Sequence, residues 1–343
     1  MNKPEQSPPV EAASQRMSRR SLLVGGGVGL LAGAAGARWL WTHNECFQSA
    51  TTAILKAEAY DARLESILRE GLGELGIDRR WCQGKSVLLK PNLVEPRITA
   101  PQINTNPQLV RAAVEVFRRW DAREVFVAEG PGHTRDMQWV LEQSGLEAVL
   151  READIEFVDL NHDDIFATKN RLGLTGLGDL YLPKSIQRAD RIVSMAKMKT
   201  HHWAGATLSM KNLFGMMPGI CYGWPKNVLH QVGIPNSILD ITATIRPQLA
   251  IVDGIVGMEG DGPIMGTAKR ANVLVVGTNL PAVDATAARL MDLDPWRIPY
   301  LRGASGRLGP IGKNRIKQRG EPIRGLVQHF ELIDDPRMKA LRG

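Results

Sequence analysis

Lys197-Met198-Lys199-Thr200-His201-His202 gathers side chains able to hold an anion or move a proton, and Lys211-Asn212 follow within a few residues. Arg191-Ile192-Val193-Ser194-Met195 precedes them and reads as a buried strand. If that strand persists, its period of two puts Lys197, Lys199 and His201 on one face. Gly205 then lets the backbone turn, and Ser209 to Leu213 can begin a helix carrying Lys211 and Asn212. Ammonium and amide donors gathered at a strand end beside a helix start suit a carboxylate, a phosphate or a metal-bound anion. The competing reading is a solvated strand tip whose lysines keep a sheet edge soluble.

Other stretches place chemistry at strand ends in the same way. Ser86-Val87-Leu88-Leu89 is an apolar strand running into Lys90-Pro91-Asn92, where the proline fixes the turn and holds Lys90 and Asn92 at the carboxyl end. Ligands of open α/β sheets sit at those ends, although Asn92 could equally cap the turn with Lys90 in water. Leu249-Ala250-Ile251-Val252-Asp253 is a strand ending in a carboxylate, and Glu259-Gly260-Asp261-Gly262-Pro263 adds two acids in a glycine-rich loop. With His201 and His230, Asp253 and Glu259 could ligate a metal, but their spacing matches no defined metal motif. Counter-ions for the lysine cluster are the simpler reading.

These motifs, with Thr207-Leu208-Ser209-Met210-Lys211-Asn212-Leu213-Phe214-Gly215, Thr105-Asn106-Pro107 and Asp253-Gly254, resemble in order the signatures of domain-of-unknown-function family 362. The resemblance spans about residues 85 to 310. It implies the fold boundaries and the site, and assigns no reaction. Members often carry an added four-cysteine iron–sulfur segment. Cys46, Cys82 and Cys221 form no iron–sulfur or zinc pattern here, so a redox step would need a separate cofactor or an electron-transfer partner.

The elements that must position these residues follow in order. Residues 1–37 resemble a twin-arginine export signal: Ser18-Arg19-Arg20-Ser21-Leu22-Leu23, a Gly/Ala/Leu run too short for a comfortable membrane span, and Ala35-Gly36-Ala37 as a cleavage site. The expected location is the periplasm, or the membrane surface if the segment stays attached. Residues 38–84 are expected to be a helical segment, with an amphipathic helix over 54–76. Residues 85–310 carry β-α-β-α-β patterning: strands at 86–90, 124–128 and 156–160, and a helix opened by Thr105-Asn106-Pro107. That predicts an α/β fold with a mostly parallel sheet, helices on both faces and a ligand cleft at the strand carboxyl ends. Residues 311–343 read as a basic segment packed on the domain.

Residues 216–236, rich in glycine and proline, have no clear periodicity and carry Tyr222, Trp224, Lys226 and His230. They read as a mobile lid or as a packed Ω-loop. His133 and Asp284 are weaker signals, the latter as a complement to a helix dipole.

Lys and Arg number 43 against 36 Asp and Glu, giving a net charge of +7. The cations are dispersed, so a nucleic-acid partner is not expected. The function this sequence points to is an exported enzyme, of redox or other chemistry, acting on an anionic or polyoxygenated small molecule. Lys90, Asn92, Lys197, Lys199, Thr200, Lys211 and Asn212 would hold the ligand, and His201 and His230 would transfer a proton. A non-catalytic periplasmic binding or cofactor-assembly protein is the alternative.

Overall fold

In the computed structural model, the described residues are 48–95, 97–132 and 136–342. The arginine pair, Ala37, Cys46 and His133 lie outside them. In chain order the strands are β1 (Ala50–Lys56), β2 (Ser86–Lys90), β3 (Glu124–Glu129), β4 (Glu156–Asp159), β5 (Ile165–Lys169), β6 (Asp179–Pro183), β7 (Arg191–His201), β8 (Gly205–Thr207), β9 (Leu249–Glu259), β10 (Thr267–Lys269), β11 (Val273–Gly277) and β12 (Ile316–Gly320).

Ten of these strands form one sheet among the described residues, with spine β12-β1-β11-β9-β7-β2-β3-β4, while β5 and β6 form a separate hairpin. Strands β4, β3, β2, β7 and β9 run parallel, and β11 is antiparallel to β9. The inner parallel strands carry apolar runs such as Val87-Leu88-Leu89 in β2 and Leu249–Val252 in β9. All five residues of β2 and ten of the eleven in β7 are buried, as expected for parallel strands covered on both faces.

The two faces have separate cores. Leu88, Phe126 and Ala128 pack with the helices Ile234–Ile245 and Leu280–Leu290. Val87, Leu89, Val125 and Val127 pack on the opposite side with Leu64–Glu74 and Pro107–Arg119. Asn106 caps the latter helix by accepting from the Gln108 amide.

Sheet order also fixes where a ligand can enter. The chain goes from β2 outward to β3 and β4, then returns to the other side of β2 as β7 and β9. Connections leave in opposite directions at the β2/β7 boundary, which opens a crevice at the carboxyl ends of those two strands.

Several elements differ from the sequence reading. The helix expected over 54–76 starts only at Leu64; Ala50–Lys56 is a strand, because β11 and β12 pair with it from both sides. Strand β12 brings the 311–343 segment into the same sheet. The segment 216–236 contains the short helices Gly219–Tyr222 and Asn227–Gln231. Tyr222 and Leu229 are buried in the core, and the Tyr222 hydroxyl accepts the Tyr181 amide of β6. Much of that segment is therefore packed scaffold.

Candidate functional site

A cavity of about 440 Å³ lies at the carboxyl ends of β2, β3 and β7. Lys90, Asn92, Glu129, Lys199, His201, Thr207, Lys211, Asn212, Lys226 and His230 all line it. The volume is in the range of small-molecule sites.

Lys90, at the end of β2, is fully buried and paired with Glu129 at the end of β3. Its Nζ also donates to the Pro91 carbonyl at 2.8 Å and to Asn212 Oδ1 at 2.9 Å. Asn212 in turn donates to the Lys90 carbonyl and to Ser194 Oγ of β7. Glu129 further accepts the Leu93 and Gly130 amides. Gly215 is required beside this pair, since a Cβ there would overlap Glu129 Oε1 and come within 2.7 Å of Lys90 Nζ. Burial lowers the Lys90 pKa, and the Glu129 carboxylate opposes that shift.

Lys199 projects from β7 and donates to the carbonyls of Ile103 at 2.9 Å and Pro263 at 3.3 Å. It has no carboxylate partner among the described residues. Burial, then repulsion from Lys197, Lys211 and Lys90, holds its pKa well below the ordinary lysine value. Lys226, in the left-handed region at φ 70°, reaches in from the 216–236 segment. It donates to Asn161 Oδ1, beyond β4, and to the Met217 carbonyl; burial pushes its pKa down to about 7.

Lys211 sits on the short helix Ser209–Asn212, with Nζ 3.9 Å from the Phe214 ring centroid. Burial, and then the nearby Lys90 charge, push its pKa down to about 7. The start of that helix is clamped by Asp284 of Leu280–Leu290. Its carboxylate accepts the Ser209 and Met210 amides at 2.8 and 3.0 Å, and the Ser209 hydroxyl as well. Burial outweighs these donors and pushes the Asp284 carboxyl up to about 7. Asp284 is thus a clamp on the helix carrying Lys211 and Asn212, where the sequence suggested only a complement to its own helix's dipole.

The two histidines are held in opposite tautomers when neutral. His201 Nδ1 accepts the amides of Trp203 at 3.1 Å and Ala204 at 3.3 Å, so its proton is on Nε2. Burial keeps its pKa well below 6.5, so the ring is a neutral donor near pH 7. His230 Nδ1 lies 3.0 Å from the Lys226 carbonyl, which can only accept. That places the His230 proton on Nδ1 and leaves Nε2 basic. The indole of Trp203 contacts both rings, at centroid distances of 6.4 and 5.7 Å. His230 reaches the cavity without any closure of its segment.

Four expected ligand-holding or metal residues are engaged elsewhere. Lys197 does not line the cavity. The β7/β9 register places it beside Asp253, and the two form a fully buried pair at 2.7 Å. Asp253 also accepts the Tyr60 hydroxyl and the Asn106 amide. This pair is a pin between β7, β9 and two neighbouring segments. The register shifts between Lys197 and Lys199, which separates two lysines that simple alternation treats alike. Thr200 Oγ1 donates to the Gly260 carbonyl and steadies the acidic loop. Glu259 contacts Lys269 and the Glu331 amide. Among the described residues no three His, Cys, Asp or Glu side chains converge as a metal site would require.

Glu129, Lys226 and Asn161 complete the cavity's polar framework and were not singled out as binding residues in the sequence. Glu129 and Asn161 had one usable signal, their position at or just past the ends of parallel strands β3 and β4. Asn92 Oδ1 and Thr207 Oγ1 are buried in the site without a hydrogen-bond partner among the described residues. Both residues line the cavity.

Comparison with known proteins adds a family. The profile of the family described as Domain of unknown function (DUF362) matches residues 87–289, more than half of the chain. The chain belongs to this family. It is 28% identical over 265 residues to a thylakoid-associated protein of Synechocystis sp., covering 76% of this chain and 79% of that one. Among solved structures it is similar to the lactate racemase apoprotein of Thermoanaerobacterium thermosaccharolyticum, with TM-score 0.45, 13% identity and 74% of this chain covered. A Thermotoga maritima protein gives TM-score 0.38, 11% identity and 66% coverage. The chain spans 58% of the length of each of those two. The family match covers every cavity-lining residue from Lys90 to Met265.

Proposed function

We propose that this family member is an enzyme acting on a small, hydroxylated carboxylate or phosphate, whose negative charge the cavity lysines hold while the histidines move a proton. One observation carries the reading: Lys90, Lys199, Lys211 and Lys226 converge on a cavity in which Glu129 is their single buried carboxylate among the described residues. Collecting ammonium groups out of water is costly unless negative charge joins them. Burial lowers the pKa of all four, so an arriving anion would restore their protons and be bound in proportion.

In the reaction, the Nε2 of His230 would accept a proton from the bound molecule. The Nε2–H of His201 would donate a hydrogen bond to the oxygen on which charge develops. Asn92 and Thr207, whose side-chain oxygens lack partners, would take the ligand's hydroxyl groups.

Thermal-shift and calorimetric titrations with phosphate, sulfate and dicarboxylates test the binding step. Lys199→Ala combined with Lys211→Ala removes two charge-assisted contacts worth roughly 1.5–3 kcal/mol each, so affinity is expected to fall at least about tenfold. Parent affinity is expected to rise as pH drops through 7, because Lys211 and Lys226, both brought to about 7, then carry their protons. Equal titration curves for parent and double variant would overturn the reading.

A further inference from the structure

We infer that Lys211 is an amine nucleophile that forms a Schiff base with a 2-oxo carboxylate bound in this cavity. The inference rests on the anion-binding reading above and specifies both the substrate class and the reacting atom.

The four lysines are not equivalent. Lys90 is bonded to a carboxylate, a carbonyl and an amide oxygen; Lys199 to two carbonyls; Lys226 to an amide oxygen and a carbonyl. Each of these nitrogens is fixed, with its hydrogens directed at oxygen. Lys211 makes no hydrogen bond or ion pair with any described residue, and its Nζ rests against the Phe214 ring. An aromatic face holds the nitrogen in place without occupying the lone pair that a nucleophile needs. The backbone beneath it is fixed by Asp284 at one end and by the Asn212 bonds to Lys90 and Ser194 at the other.

The electrostatics agree with that geometry. Burial and the neighbouring Lys90 cation bring Lys211 to about 7, so a large share of it is the free amine near neutral pH. An apolar wall plus an adjacent ammonium is a known way to activate a Schiff-base lysine.

The rest of the cavity selects the partner. An amine nucleophile needs an aldehyde or ketone, and Lys199 and Lys226, neither paired with a carboxylate among the described residues, favour one that bears a carboxylate. Thr207 Oγ1 and Asn92 Oδ1, both without partners, can serve the hydroxyl that appears midway. The Lys211 lone pair attacks the carbonyl carbon, a C–N bond forms, and the π pair moves to oxygen, which takes one of the two protons of the attacking amine. The carbinolamine then loses that oxygen as water; the nitrogen lone pair makes the C=N bond, and the second proton of the water comes from the amine. One molecule of water leaves for each imine formed, and no oxidant or reductant is consumed.

The test uses the parent protein with pyruvate or glyoxylate in the presence of cyanoborohydride, followed by peptide mapping. The expected result is a single reduced adduct on Lys211, with acetone, which lacks the carboxylate, giving at least about tenfold less. Lys211→Arg keeps a cation and should lose the adduct, while its melting curve verifies folding. Adduct spread over surface lysines, placed on another cavity lysine, or absent would overturn the inference. Calorimetry with pyruvate and no reductant separates the two failures. Binding without a Lys211 adduct refutes only the nucleophile. Absence of binding by both pyruvate and phosphate refutes the anion cavity with it.

Discussion

Replacing Glu129 by Gln tests the energetic centre of the site. The substitution keeps shape but removes the charge opposite Lys90, and its single amide oxygen can accept from only one of the Leu93 and Gly130 amides, which bond different oxygens of the carboxylate. Both side chains are 1% exposed, so solvent does little to screen what remains. Breaking a buried pair from one side leaves an uncompensated charge and costs about 3–5 kcal/mol. For a chain of this size that corresponds to a fall in Tm on the order of 10 °C. Lys90→Met should be comparably harmful, whereas the double variant Lys90→Met with Glu129→Gln should recover a large part of the loss, because no charge is then stranded.

The pH dependence has a definite sign. Glu129 is what raises the Lys90 pKa against burial, so in Glu129→Gln the folded-state value falls further below that of the unfolded chain. The unfolded state then binds more protons between those two values, and stability rises with pH across that window. The gap between parent and variant should therefore narrow as pH climbs from neutral towards about 10. Guanidinium unfolding of the four proteins of this cycle, repeated at several pH values, measures each quantity. If Glu129→Gln lies within about 1 kcal/mol of the parent at pH 7, or if the double variant is no more stable than either single one, the pair is not a buried, dry ion pair and the reasoning fails.

Asp284 should make the protein lose stability as pH rises. Its folded pKa is raised from 3.8 to about 7, so the stabilisation is fully present below the unfolded value and is lost as pH passes through about 7. The span corresponds to about 4 kcal/mol. Asp284→Asn should flatten that part of the stability–pH curve, and a variant whose curve parallels the parent's would disprove the assignment. Gly215→Ala should separate Lys90 from Glu129 by overlap, costing about 1–3 kcal/mol and weakening phosphate binding. Unchanged melting and unchanged binding together would show that the pair is not confined there.

Much of this arrangement is legible in the sequence because strand ends and helix starts are local features. Apolar runs such as Ser86–Leu89 and Leu249–Val252 mark parallel strands, and the polar residue just past each run lands at a carboxyl edge whatever the sheet order. That is how Lys90, Asn92, Lys199, His201, Lys211 and Asn212 could be named without coordinates. The helix opened by Thr105-Asn106-Pro107 was equally plain from its cap and first-turn proline.

What could not be read locally is pairing between distant segments. Lys197 and Lys199 look alike by alternation, and only the shift in the β7/β9 register gives Lys197 to Asp253 and leaves Lys199 to the cavity. Glu129 becomes the counter-ion of Lys90 because β3 lies beside β2, and Asp284 reaches Ser209 across 75 residues of chain. Residues 50–56 have an apolar run that fits either a helix or a strand. The two neighbours that pair with it, β11 and β12, come from the far end of the chain. Residue type and local period determined which side chains could do chemistry. The packing of remote strands decided which of them were neutralised as structure and which were left facing the cavity.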